Sequence, residues 1–186
     1  TEYLAAAELA KKYQLNKHIL MEKLSITRWD QALFLTLSLL PPEQADLFLN
    51  DVIKADFALA LNAAKYLEVG REKVVSKLLS EVSKKIQDSE QYDWKIQSAI
   101  QFHLPLTQCH ESQIRSIIKL GGSIGGSAVS RLVSMKGKEV KDEFLQLLID
   151  CSNDYNFCRN GVASALKSFA TNADARKIYE WANSLQ

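Results

Sequence analysis

Helix-breaking residues are scarce in this sequence: its 186 residues include only seven glycines and three prolines. That scarcity excludes a disordered tail, a collagen-like chain and a low-complexity linker. Strand signals are nearly missing too, because no period-two alternation is sustained between hairpin turns. No long apolar run is present. The strongest, Ala32 to Leu40, is interrupted by Thr36 and Ser38 and is too short to cross a bilayer. Neither sign of charge dominates: Lys plus Arg number 12 against 14 for Asp plus Glu in residues 1–93, and 11 against 8 in residues 94–186. Such balance disfavours a large electrostatic footprint for nucleic acid or anionic membrane. Cysteine is sparse and odd in number, and Cys109, Cys151 and Cys158 read as reduced, core-forming thiols, which implies a cytoplasmic location. No basic-then-apolar leader opens the chain, and it starts at Thr1 without a methionine, as a segment of a longer protein would.

What is present is helical periodicity. Over residues 71–86, Val75, Leu78, Leu79, Val82 and Ile86 form one apolar stripe, with Lys73, Lys77, Glu81 and Lys84 on other faces. Val140, Phe144, Leu147, Leu148 and Cys151 align over 137–151, and Cys158, Val162, Ala165, Leu166 and Phe169 over 155–169. Asn16, Asp56 and Asp154 are candidate N-caps, Pro41-Pro42 ends one helix and opens another, and Gly70, Gly121-Gly122 and Gly137 mark breaks. The reading is an all-α chain of about twelve helices, each roughly 10 to 17 residues, joined by short loops. Small residues recur inside apolar stripes at Ala63-Ala64, Ser98-Ala99, Ser127-Ala128 and Ser164-Ala165. Their spacing is close to one helical hairpin per period, and small residues there let a neighbouring helix approach. The expected architecture is therefore an α-solenoid of HEAT- or armadillo-like antiparallel hairpins.

Two resemblances sharpen this. The run from Asp154 through Arg159 to Ala163, Ala165 and Leu166 resembles the second helix of a HEAT repeat: Asp at the turn, Arg after an apolar residue, and small residues leading to Leu. Asp93 to Ile100 looks like a degraded copy, with Gln97 where the Arg would stand. At the start, Glu2-Tyr3-Leu4-Ala5-Ala6 resembles the helix that closes the nucleotide-binding core of NACHT-type STAND NTPases. The stretch Ser25 to Leu40 with Trp29, then Ala55-Asp56-Phe57-Ala58-Leu59-Ala60 and Ala63 to Leu67, follow in that family's order. The resemblance implies that residues 1–41 belong to the end of such a core and its junction, and residues 42–186 to HEAT-like repeats. It also implies a sensor or autoinhibitory role. A free-standing HEAT-like scaffold is the alternative, and a HEAT-like DNA glycosylase, on the strength of Asp93-Trp94, a more distant one.

The chain lacks the parts of a catalytic site. No glycine-rich loop ends in Lys and Ser or Thr, and Gly121 to Ser127, the only glycine-rich stretch, reads as a flexible loop between helices. No Cys or His spacing has zinc-ligand form, so neither a metal nor a cofactor is expected. His18, His103 and His110 read as surface or loop residues, Trp94 as a packing residue, and Asp142 and Glu143 as a solvated helix face. The expected function is non-enzymatic recognition of a protein or peptide, or of the NTPase core itself. No membrane is expected as partner and nucleic acid is disfavoured. The candidate partner-binding residues are Arg131, Arg159 and Lys167.

Overall fold

The computed structural model describes residues 2–13, 15, 17–18, 22, 30–67, 70–88, 94–150, 158–168 and 170–184. Among the described residues the chain is all-helical and contains no strand. Its α-helices are α1 (Glu2–Lys11), α2 (Asp30–Leu39), α3 (Pro42–Ala55), α4 (Phe57–Ala63), α5 (Arg71–Asp88), α6 (Trp94–Ser98), α7 (Glu111–Leu120), α8 (Gly122–Lys136), α9 (Lys141–Asp150), α10 (Arg159–Lys167) and α11 (Asn172–Ser184). Among the described residues this is somewhat fewer than the count expected from the sequence. A π-helical turn, Ala99–His103, continues α6, and 3-10 turns precede α7 and α9. The chain divides into two compact units: residues 1–78 with 103–106, and residues 79–102 with 107–186. The Pro41-Pro42 break lies between α2 and α3, within the first unit.

Helix boundaries follow the local chemistry. Pro42 opens α3 at a position whose N–H has no partner to lose. The Asp56 carboxylate accepts the Leu59 N–H at 3.0 Å and caps α4. Gly70, Gly121, Gly122 and Gly137 have φ between 58° and 81°, where a side chain would be strained. Asn16, Asp154, Cys151 and Phe169, to which the sequence assigned caps or core positions, lie outside the described residues.

In the first unit, α1 packs on α2 through Ala6 and Ala32, and α2 packs on α3 and α4. The buried Thr36 hydroxyl donates to the Ala32 carbonyl at 2.8 Å, so it costs little in this apolar layer. Tyr13 stands edge-on to Phe48 with ring centres 5.4 Å apart. Its hydroxyl donates to Asp51 at 2.7 Å, and Lys17 approaches the same carboxylate at 2.9 Å. Burial, then Asp51, pushes the Tyr13 phenol upward. Burial alone would raise the Asp51 carboxyl, but hydrogen bonds from Lys17 and Tyr13 outweigh it and hold it below the ordinary range.

In the second unit, α7 pairs with α8 and α9 with α10. α8 lies against both α6 and α10, while α9 lies against α11. The principal contacts therefore join helices one or two places apart in the chain, and α8 links α6 and α10 into one row of touching helices, with α7 against α8 and α9 against α10. Ile100, Ile114, Ile117, Val129, Leu132, Phe144 and Val162 are all fully buried between the layers.

The glycine-rich stretch is not a loop. Gly122 to Ser127 is the first part of α8, held in helical form by what surrounds it. A Cβ on Gly125 would come within 3.3 Å of the Ile117 carbonyl oxygen and 3.4 Å of Cys158 Sγ. A Cβ on Gly161 would lie 2.9 Å from Gly126 Cα. The glycines thus mark where α7 and α10 press on α8. Tertiary contact overrides their weak helix preference.

Candidate functional site

Each candidate partner-binding residue sits on the α6–α8–α10 row. Arg131 is half-buried in the middle of α8, Arg159 is exposed at the first position of α10, and Lys167 is exposed at its last. Gly126 and Gly161 bring the helices that carry them, α8 and α10, into close backbone approach. Ser164-Ala165, one of the small pairs expected to let a neighbouring helix approach, is not part of this crossing: Ser164 is exposed and Ala165 half-buried. Ala64, Ala99 and Ala128, in the other three pairs, are fully buried as expected.

Trp94 is not a packing residue. It is 62% exposed, and Phe102 at the far end of the same helical segment is 66% exposed. Ile96, Ala99 and Ile100 occupy the buried side, and the first-turn indole lies on the exposed one. Asp93, its neighbour in the glycosylase comparison, lies outside the described residues. On α8, Ser130 and Ser134 are exposed, and their hydroxyls donate to the Gly126 and Arg131 carbonyls at 3.3 and 2.8 Å.

Carboxylates are unevenly divided among these helices, while cations are not. From Trp94 to His103, over α8 and over α10 there is no aspartate or glutamate, whereas Lys95, Arg131, Lys136, Arg159 and Lys167 are present. Helices α7, α9 and α11 hold both signs: Glu111, Asp142, Glu143, Asp150, Asp174 and Glu180 with Arg115, Lys119, Lys141, Arg176 and Lys177. Ion pairs knit these helices together. Glu111 receives Lys136 at 2.8 Å and Arg115 at 2.7 Å, and Arg115 also pairs with Glu143, linking α7, α8 and α9. Lys136 first and Arg115 second hold the Glu111 carboxyl below its usual range. Glu143 is therefore an inter-helix partner rather than part of a solvated face; Asp142 is exposed as expected. Asp174, buried at the start of α11, accepts the Thr171 hydroxyl at 2.7 Å, the Thr171 N–H at 2.8 Å and Lys141 Nζ at 3.1 Å. Thr171 first, then Lys141, holds its pKa at about 2.

Two further expectations need correction. His110 is fully buried: its Nδ1 accepts the Thr107 N–H at 3.1 Å, closing a capping box ahead of α7, which places the ring proton of a neutral imidazole on Nε2. Cys109 is exposed, with Sγ 3.0 Å from the Thr107 hydroxyl, whereas Cys158 is buried and donates to the Ile118 carbonyl at 3.6 Å. His18 and His103 are exposed, as expected.

Among the described residues no three His, Cys, Asp or Glu side chains gather as metal ligands, and no helix is long and apolar enough to cross a membrane. No family model, no curated protein and no solved structure matches the chain.

Proposed function

We propose that the chain is a non-catalytic, HEAT-like segment of an α-solenoid that binds a protein or peptide on the α6–α8–α10 face. One observation carries this reading: in the second unit the principal contacts run between helices one or two places apart. Nearest-neighbour contact of this kind is how stacked hairpins bury their faces, and it leaves one row of helices open to a ligand. Exposed Trp94 and Phe102 support it, because large aromatic side chains left in water are the usual anchors of an interface.

A photo-crosslinking amino acid placed at Ser130 or Ser164 would form discrete protein adducts in cells, whereas one at Lys119 on α7 would not. Absence of protein adducts from both row positions overturns the reading.

The chain's place in a NACHT-type STAND NTPase is part of the same proposal. Its support is the order of motifs from Glu2 to Leu67 and the exposure of Tyr3 (60%) and Leu4 (72%) on α1, which leaves an apolar face open to a partner such as an NTPase core. The parent reading frame upstream of Thr1 tests it. A phosphate loop and a metal-binding acidic strand there would support the sensor or autoinhibitory role, and their absence would leave a free-standing scaffold.

A further inference from the structure

We infer that Asn160-Gly161, in the first turn of α10, is a site of spontaneous deamidation in the folded chain, and that the isoaspartate it yields unwinds that turn. The modification needs water alone and stands apart from the binding role proposed above.

The sequence brings the two reacting groups together once. Of its asparagines, only Asn160 is followed by glycine. The Gly161 backbone nitrogen attacks the Asn160 side-chain carbonyl carbon, and a new C–N bond closes a succinimide ring. The bond from Cγ to Nδ2 breaks, and the proton from the attacking nitrogen leaves with the amide as ammonia. Water then opens the ring at either carbonyl, giving aspartate, or isoaspartate in which the main chain runs through the side chain. A Cβ on the second residue would crowd the attack, whereas glycine leaves the path open and reaches the backbone conformation the ring requires.

The fold keeps that glycine in place. A Cβ on Gly161 would lie 2.9 Å from Gly126 Cα, so α10 approaches α8 this closely only because residue 161 has no side chain. Asn160 is thereby held beside the neighbour that makes it most reactive. Its side chain is exposed to the water the reaction consumes, and among the described residues it has no hydrogen-bond partner to restrain the amide.

Helical geometry resists the step, because it turns the Gly161 nitrogen out of line with the Asn160 carbonyl carbon. Asn160 must leave its helical ψ before the ring can close. The start of α10 is poorly fastened against that rotation. Its N-cap residue, Cys158, makes no side-chain capping bond, since Sγ is turned to the Ile118 carbonyl at 3.6 Å. Gly161 is the third residue of α10, and N–H groups so near a helix start have no intrahelical partner, so the attacking nitrogen gives up no helix bond. The bond from Val162 N–H to the Cys158 carbonyl, at 3.1 Å, closes the first turn over Asn160. Opening it is a local event of the kind helix ends undergo far more readily than the whole chain unfolds.

The products differ in what they do to the fold. Either one places the first carboxylate within α6, α8 and α10. Isoaspartate also lengthens the main chain by a methylene. With Gly161 held against Gly126, that extra length falls on the residues before it and breaks the turn.

The test incubates the full chain in warm, mildly alkaline buffer, folded and in denaturing urea, and follows Asn160 by peptide mass spectrometry. The folded rate is expected to lie within about a hundredfold of the unfolded one, as opening of a helix end allows. Reaction through global unfolding alone would be slowed about a thousandfold or more. A folded rate more than about a hundredfold below the unfolded one overturns the inference. Thermal unfolding then reads the consequence. Asn160→Asp carries the new charge without the added methylene and should be no less stable than wild type, because a carboxylate suits a helix start. The incubated wild type is expected to unfold at lower temperature than Asn160→Asp, and Asn160→Gln to come through the same incubation unchanged. Incubated wild type as stable as Asn160→Asp, or an equal loss in Asn160→Gln, overturns the unwinding of α10 by isoaspartate.

Discussion

Replacing Gly161 by alanine is the sharpest perturbation available, because the site and its mirror position respond oppositely. The new Cβ would sit 2.9 Å from Gly126 Cα and 3.4 Å from Gly126 O. Carbon atoms rest at about 3.5–4.0 Å, so α10 must retreat from α8 by roughly half an ångström or more, and a gap of that size forfeits a quarter to a half of each dispersion contact along the crossing. Backbone atoms cannot rotate aside as a side-chain tip would. Overpacking of this kind costs about 1–3 kcal/mol, partly offset by the roughly 0.5–1 kcal/mol that alanine gains over glycine within a helix. The net loss is about 1–2 kcal/mol. At Gly126 the added Cβ meets nothing within 4 Å, so Gly126→Ala keeps the helical gain and stabilises by about 0.5–1 kcal/mol. Urea unfolding of both variants reads the difference as opposite shifts in midpoint at constant slope. Amide exchange localises the loss to α8 and α10. If Gly126→Ala were as destabilising as Gly161→Ala, or if Gly161→Ala were neutral, the backbone crossing described here would be wrong.

Other predictions follow from packing and charge. Leu79→Ala and Leu148→Ala empty buried sites and should each cost about 2–5 kcal/mol; wild-type-like thermal unfolding of both would contradict the core assignment. Asp174 is held at about 2, below its ordinary 3.8, so its stabilisation is present above pH 4 and is lost as pH falls toward 2. Asp174→Asn should lower stability at neutral pH and flatten acid unfolding in that window; an unchanged acid limb would show that the Thr171 and Lys141 contacts contribute nothing. The raised Tyr13 phenol works the other way: its contribution holds below its ordinary value of about 10 and fades above it. Tyr13→Phe should therefore be less sensitive than wild type to alkaline unfolding. Arg115→Ala leaves Glu111 and Glu143 without their shared cation and should cost about 1 kcal/mol, reduced by salt; a salt-independent loss would point to packing instead.

Much of the helical framework was legible in the sequence. The stripe from Val75 to Val82 is fully buried, Asp56 caps α4, Pro42 opens α3, and the positive-φ glycines stand at breaks. These depend on neighbours a few residues away, which a linear pattern records. Errors arose where the deciding contact came from afar. Gly122 to Ser127 reads locally as a loop, and only the pressure of Ile117, Cys158 and Gly161 makes glycine the residue that fits a helix there. His110 is buried by its capping role, a geometry composition does not encode. Trp94 carries the hydrophobicity of a core residue, yet its place at the head of a five-residue helix leaves it uncovered. Arg131, Arg159 and Lys167 were named from their helices alone. That α6, α8 and α10 together hold no aspartate or glutamate becomes visible only when the fold brings these alternate helices into contact.

The contact between Gly126 and Gly161 also bears on how a ligand would be met. Where two helices touch through side chains, rotamer changes let them slip; where backbone meets backbone there is nothing to re-pack, and the separation of α8 from α10 is fixed by the chain itself. Serines along α8 are tied to their own carbonyls, so the floor offers few loose torsions. A ligand laid there would find Lys167 carried on a rigid frame, and little conformational entropy would have to be removed from the protein before binding. Such a surface favours an interaction whose cost of ordering falls on the incoming segment, and whose strength is therefore tuned most readily by stiffening the partner.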